Sequence, residues 1–282
     1  GGGRNPKYDP DFWTRHFKAM CTTLAMATDA FKLKPGMVHK ILVDDRHQIL
    51  FGQMAKVAST NLGRIFAIMA GLFNSSDPDD IDPEQVHTII NHRETHLSEF
   101  PINDIIYRIN TYYKFVFVRD PFERLLSAFI DKFSPPRPGY FEKIAKNIVR
   151  IYRKSSFHWK PIAFPEFIEY VSEAGRVIRT DNHWMPFHEL SRPCELRYDF
   201  VGTIYTMHDD LQHVLRHSGL TGVVKIPEQK AARSLHETDK YLQQYYSQVP
   251  KKVLKKLYDV YHYDYELFNL TLPACIQTML KL

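Results

Sequence analysis

Lys114-Phe115-Val116-Phe117-Val118-Arg119-Asp120-Pro121 is the stretch that decides the fold. Its first five residues form a nearly continuous apolar run, the pattern of a strand buried on both faces. The run stops at Arg119. Asp120 then suits a helix cap and Pro121 the first helical position, so a helix follows at once. Two more strand-to-helix units flank this one. Upstream, Gln48 to Met54 reads as a strand, Ala55 to Thr60 as a turn, and Asn61 to Phe73 as a helix with apolar residues at helical spacing. Downstream, Tyr198 to Tyr205 reads as a strand, Thr206 as a cap, and Met207 to Leu220 as a helix that stops near Gly219. Strands alternating with helices predict an α/β fold with a parallel sheet flanked by helices, whose ligands sit at the carboxyl ends of the strands. Ahead of these units, Pro10 to Phe31 reads as a helix rich in Ala, Met and Leu, broken at Pro35-Gly36.

The composition bounds the class. The chain has 282 residues, 44% hydrophobic and 24% charged, which are globular values and exclude a disordered or fibrous protein. The longest apolar stretch, Ile65 to Phe73, is far too short to span a bilayer. Lys+Arg number 37 against 32 Asp+Glu, a net +5 that permits an acidic partner without demanding one. Cys21, Cys194 and Cys275 match no zinc spacing, and an odd count leaves at least one unbridged or paired with another chain. Asn74-Ser75-Ser76 and Asn269-Leu270-Thr271 are glycan acceptor sequons in a secretory lumen. Gly1-Gly2-Gly3 reads as an expression scar, residues 4–40 as an N-terminal helical segment, and the whole as a trimmed piece of something longer.

One segment is strongly basic. Residues 132–160 hold eight Lys/Arg and one acid, Glu142. After a Pro-rich turn from Ser134 to Gly139, a helix would place Lys143, Lys146, Arg150 and Arg153 or Lys154 on one face. Phe141, Ile144, Ala145, Ile148 and Ile151 would fall on another. A solvated face over a packed stripe and a surface that gathers a polyanion fit this pattern equally well.

Two loops carry chemistry. Ala55-Lys56-Val57-Ala58-Ser59-Thr60-Asn61 lies between a strand and a helix, where backbone N–H groups and the positive helix end converge on a natural phosphate or sulfate seat. Lys56 adds a charge, and Ser59 and Thr60 add hydroxyls. The loop lacks the glycines and the Gly-Lys-Ser/Thr ending of a Walker A motif, and a lysine near a helix start is commonly just a surface charge. The second loop has Arg119 at a strand tip and Ser127 on the helix behind it, able to hold a second phosphate. The plain alternative is Arg119 paired with Asp120 or Glu123.

Arg46-His47-Gln48-Ile49-Leu50-Phe51, the Lys56 to Asn61 run and Phe117-Val118-Arg119-Asp120-Pro121-Phe122-Glu123-Arg124-Leu125-Leu126-Ser127-Ala128-Phe129 resemble the Golgi carbohydrate sulfotransferases. That group includes the chondroitin and dermatan 4-O-sulfotransferases and the natural-killer-epitope glucuronyl sulfotransferase. The likeness continues through His183-Trp184, Pro193-Cys194, Tyr198 to Gly202 and Tyr258 to Phe268, so it covers nearly everything from Ile41 onward. It implies a P-loop-like sulfotransferase domain over residues 41–282 and the donor 3'-phosphoadenosine 5'-phosphosulfate (PAPS). It also implies the product 3'-phosphoadenosine 5'-phosphate (PAP), no metal, a Golgi-lumenal location and a type II anchor absent from this chain. In that likeness the Ala55 to Asn61 loop holds the 5'-phosphosulfate, and Arg119 with Ser127 holds the 3'-phosphate. The acceptor would be an acidic or polyanionic glycan, foremost the GalNAc 4-hydroxyl of chondroitin or dermatan, with a glucuronyl 3-hydroxyl of a glycoprotein glycan as alternative. The chain departs from the family at Ala55, where Pro is usual, and at Leu62, where a bulky aromatic is usual. Ser191 and Gly52 stand where Cys is common, so a local disulfide near Cys194 is lost.

Sulfuryl transfer needs charge stabilisation at the departing phosphate, for which Lys56 is placed, and a base for the acceptor hydroxyl. Histidine suits that task, and fourteen are present. Val86-His87 resembles the family's histidine ahead of the second strand, so His87 ranks first. His183 ranks second, with His183 and Trp184 equally able to contact the acceptor beside Lys143, Lys146, Arg150 and Arg153. His92 and His96 read as helix-surface residues. A non-catalytic glycosaminoglycan-binding module would need only the basic helix. A kinase is disfavoured by the missing Walker A glycines and Mg²⁺ carboxylates. Nothing calls for nucleic acid.

Overall fold

The structure, a computed structural model, describes residues 5–9, 11–26, 33–90, 95–153, 161–173, 181–227 and 235–281. It divides into two compact units, Gly1–Val118 with Phe187–Ala232, and Arg119–Pro186 with Arg233–Leu282.

The first unit holds helix α1 (Phe12–Thr23), strands β1 (Ile41–Asp44) and β2 (Ile49–Gly52), helices α2 (Ser59–Met69), α3 (Pro83–Ile90) and α4 (Ile102–Thr111), and β3 (Tyr113–Val118). It is completed by α8 (Phe187–Ser191), α9 (Pro193–Leu196), β4 (Phe200–Thr203) and α10 (Met207–His217). The sheet runs β1-β2-β3-β4. The three strands read from the sequence pair in parallel, with Ile49 opposite Tyr113 and Val118 opposite Thr203. β1 is an addition: an antiparallel edge with Ile41 opposite Gly52. Its hairpin turn is built by Asp44, whose carboxylate accepts from the Arg46 and His47 amides. Gly202 lets β4 lie against β3, since a Cβ there would come within 2.4 Å of the Phe117 ring.

The amino-terminal segment is tied into this unit. Cys21 on α1 is bridged to Cys194 on α9, which leaves Cys275 as the unbridged, buried cysteine. Lys7 Nζ and Tyr8 OH both reach the buried Asp210 carboxylate. α1 is shorter than the apolar pattern predicts, and residues 27–31 and Pro10 of the expected helix lie outside the described residues, as does Gly1-Gly2-Gly3. Thr206 stands at the N-cap of α10 but makes no cap bond. Its hydroxyl donates to Asp210 Oδ2 instead, at 2.7 Å.

The second unit is helical: α5 (Pro121–Phe133), α6 (Tyr140–Arg153), α7 (Phe164–Ser172), α11 (Leu235–Tyr246), α12 (Lys251–Leu267) and α13 (Ala274–Leu280). Asp120 and Pro121 start α5 as the sequence predicts, with Asp120 Oδ1 accepting from the Glu123 amide. The core is strongly aromatic, with Phe122, Phe133, Phe167, Trp184, Tyr246 and Tyr261 fully buried. On α6 the buried stripe is Ala145, Ile148 and Val149, while Ile151 is 45% exposed, so the packed face is rotated from the one expected. Among the described residues no helix is long and apolar enough to cross a membrane.

Candidate functional site

In the first unit β2 ends at Gly52 and α2 starts at Ser59, two residues before the helix start read from the pattern. The loop between them is held in a shape that costs energy. Lys56 (φ 68°) and Ala58 (φ 57°) both take the left-handed conformation, which costs roughly 1–2 kcal/mol each for a residue with a Cβ. The buried Val57 between them pins the turn. Ala58 is the N-cap of α2 and offers no side-chain cap, and the first turn carries no acid. Neither the cap residue nor the first turn itself supplies an anion to the first-turn amides and the positive helix end, and Ser59, Thr60 and Asn61 stand on that turn. One turn further, the Arg64 side chain is buried and reaches toward Asn61 Oδ1 and Asp79 at 3.5 Å. Its Nε has no hydrogen-bond partner among the described residues. Donors of this kind, with one buried donor unsatisfied, fit a phosphosulfate group. Sequence reading missed Arg64, although its i+3 spacing from Asn61 was visible.

His87 is exposed on α3, whose Val86 and Ile90 pack toward Gly63 of α2. His96 is not on a helix surface. It sits in an extended segment bridged to Leu42 of β1, bonds the His39 carbonyl at 3.1 Å, and is pulled below the ordinary imidazole pKa by burial. His92 lies outside the described residues.

In the second unit Glu123 and Ser127 lie four residues apart on one side of α5, and Arg119 stands just ahead of the Asp120 cap, four residues before Glu123. Arg119 Nε donates to Glu123 Oε2 at 3.1 Å, the plain alternative raised by the sequence, while Ser127 is half-buried. Glu123 is only 6% exposed, so this pair orients the guanidinium on the helix. Beside it, Asp120 is fully enclosed and accepts from Tyr265 OH at 2.6 Å. Burial pushes its carboxyl up to about 7, against the lowering effect of the Tyr265 bond.

That shift has a pH signature. The folded pKa lies above the unfolded value near 3.8, so the folded chain holds an extra proton between about pH 4 and 7. The resulting stability is complete below that window and is lost as pH rises through about 7. Urea unfolding at about pH 5 and pH 8 should show the higher midpoint at the lower pH, relative to other titrating groups. Asp120→Asn keeps the cap and should flatten that component. An unaltered difference would remove Asp120 as its source.

His183 has a defined partner. Its Nδ1 lies 2.7 Å from Asp181 Oδ1, which also accepts from the His183 amide. Phe141 of α6 meets the imidazole edge-on at 5.4 Å. The loop beneath is anchored by Arg124, whose buried guanidinium donates to the Asn182 and Met185 carbonyls at 2.6 Å each. The role of Arg124 is not legible in the sequence motif, because its targets lie some sixty residues away. Trp184, expected as an acceptor contact, is instead fully buried between Phe133 and Phe167, and Tyr261 donates to its carbonyl.

The basic face of α6 is also corrected. Lys146 pairs with Glu142 at 2.5 Å, and Arg153 forms a two-pronged pair with Glu166 of α7 at 2.6 Å. Glu166 also accepts from the Ala163 amide, so Arg153 belongs to the α6–α7 framework. Lys143 and Arg150 remain exposed, and among the described residues no carboxylate pairs with them. Lys154 lies outside the described residues. No group of three or more metal-ligating side chains is found among the described residues.

Residues 39–271 match the model of the sulfotransferase family. The chain is 32% identical over 266 residues to carbohydrate sulfotransferase 8 of Mus musculus, covering 92% of this chain and 63% of that protein. It is 30% identical over 257 residues to carbohydrate sulfotransferase 11 of Rattus norvegicus, covering 88% and 72%. To carbohydrate sulfotransferase 10 of Gallus gallus it is 33% identical over 246 residues, covering 84% and 68%. The chain thus spans somewhat under two thirds of the length of the mouse relative. No solved structure matches it.

Proposed function

The chain belongs to the sulfotransferase family, and on that premise we propose that it transfers a sulfuryl group from PAPS to a hydroxyl of a glycosaminoglycan or related glycan. The observation that carries this reading is the Lys56 loop: two left-handed residues leading into an uncapped, acid-free helix start, inside the matched region. Strain of this sort is retained where it serves a ligand.

PAPS supplies the sulfuryl group. Residues Ala55 to Asn61 receive its 5'-phosphosulfate, and Arg119 with Ser127 receives the 3'-phosphate. Lys56 neutralises the charge that develops on the departing phosphate oxygen. His183 is the base better supported by its surroundings. Asp181 holds Nδ1 and thereby fixes the ring, so that Nε2 can take the acceptor proton. His87, first by resemblance, has no such orienting partner among the described residues. Lys143 and Arg150 serve the acidic acceptor, and the preferred acceptor is the GalNAc 4-hydroxyl of chondroitin or dermatan. The disulfide and the exposed Asn74 and Asn269 support residence in an oxidising, glycosylating lumen, in this reading the Golgi, with a type II anchor.

His183→Ala should lower turnover by about a hundredfold or more and abolish the acidic-limb dependence of the rate, where protonation of the base removes activity, while His87→Ala stays near wild type. The reverse ranking in a pH–rate comparison would return the role to His87. The function itself is tested by labelled sulfate transfer from PAPS across desulfated glycosaminoglycans and a glucuronyl-terminated glycan. Thermal stabilisation by PAP in the absence of Mg²⁺ should accompany it. A chain that binds glycans but is neither shifted by PAP nor active on the panel is a binding module instead.

A further inference from the structure

α12 opens with Lys251, Lys252, Lys255 and Lys256, all exposed, while Val253, Leu254 and Leu257 are buried in the core of the second unit. At 3.6 residues per turn the four lysines fall within an arc of about 140°. Lys251 with Lys255, and Lys252 with Lys256, are like charges at four-residue spacing, which destabilises a helix. All four lie in the first two turns, where cations oppose the helix dipole. The first turn has no acid, and Pro250 supplies no side-chain cap. Asp259 follows three and four residues on, yet among the described residues none of the four lysines is in an ion pair. α6, by contrast, neutralises Lys146 and Arg153 internally. Among the described residues no carboxylate pairs with the lysines of α12.

We infer that this lysine face binds an acidic polysaccharide, gripping a stretch of chain remote from the reacting sugar. The assignment as part of an acceptor rests on the glycan-sulfotransferase reading above. Tyr261, about 9 Å along the axis of the same helix from Lys255, is buried on the face opposite the lysines and donates to the Trp184 carbonyl, next to His183. The lysine face thus belongs to the unit that also carries the candidate base His183. A membrane surface is disfavoured because the apolar residues of these turns point into the core, leaving none to insert. A single-stranded nucleic acid is disfavoured because no exposed aromatic ring is interleaved with the lysines.

The test measures binding of a chondroitin sulfate chain to the full 282-residue chain, without PAPS, as a function of salt. Lys252→Glu/Lys256→Glu should weaken binding at low salt by about tenfold and flatten the salt dependence. PAP affinity should be unchanged. The melting midpoint should hold or rise, since acids suit a helix start. Lys252→Gln/Lys256→Gln provides the milder variant should the reversal misfold, and should weaken binding in the same direction. Unchanged affinity in both folded variants overturns the inference while leaving the sulfotransferase reading intact. Lysine-dependent binding in a chain that transfers no sulfate upholds the surface and removes the enzyme. Equally tight, lysine-dependent binding of phosphatidylserine vesicles or duplex DNA overturns the assignment to a polysaccharide.

Discussion

Lys56→Ala should cut turnover at saturating PAPS by about a hundredfold or more, the usual loss when one preorganised electrostatic contact to developing charge is removed. The expectation rests on where the loop puts the residue. Lys56 is itself left-handed, followed by the buried Val57 and the left-handed Ala58, so its position is set by the backbone and not by a flexible surface turn. Because its proposed partner is charge that appears only as the bond breaks, kcat should fall more than donor affinity does. Lys56→Arg keeps the charge but changes its shape, and should recover only part of the rate. Comparable steady-state turnover of Lys56→Ala at saturating donor would take Lys56 out of the mechanism.

Arg119→Ala should weaken PAP binding by roughly 1.5–3 kcal/mol, the scale of a charge-assisted contact, and leave acceptor affinity nearly unaltered. The structure adds a complication, since removing Arg119 leaves the buried Glu123 carboxylate without this partner. Part of any loss would then come from Glu123 and not from the nucleotide. Arg119→Ala/Glu123→Gln separates the two: calorimetry should still show the weakened PAP binding, while stability lost in the single variant returns. Full affinity in either folded variant would mean that Arg119 serves only as the partner of Glu123.

Much of this was legible beforehand because it is local. An unbroken apolar run such as Phe115 to Val118 marks a central strand, and Asp120-Pro121 marks a helix start, whatever the rest of the chain does. The placement of the Lys56 loop between strand and helix follows from the same periodicity. Its strain does not, because neither Lys56 nor Ala58 is a residue type that announces a left-handed backbone. The edge strand β1 went unread since four residues ending in Asp44 show no period of their own until β2 pairs with them.

The sequence by itself determined the three strand-to-helix units around β2, β3 and β4, the position of the two candidate loops between strand and helix, and the family, all of which are written in patterns a few residues long. Only tertiary structure decided what each charge and ring is for. Arg153 looked available until Glu166 arrived from the next helix, and Trp184 looked like a surface contact until Phe133 and Phe167 closed over it. Cys21 met Cys194 across 173 residues, and His183 gained Asp181 in a loop that Arg124 holds in place. α12, by contrast, kept four lysines without an ion pair among the described residues. The physical reason is range: helix caps and strand patterns are satisfied by near neighbours, whereas neutralising a charge or burying a ring depends on whichever distant segment the fold brings alongside.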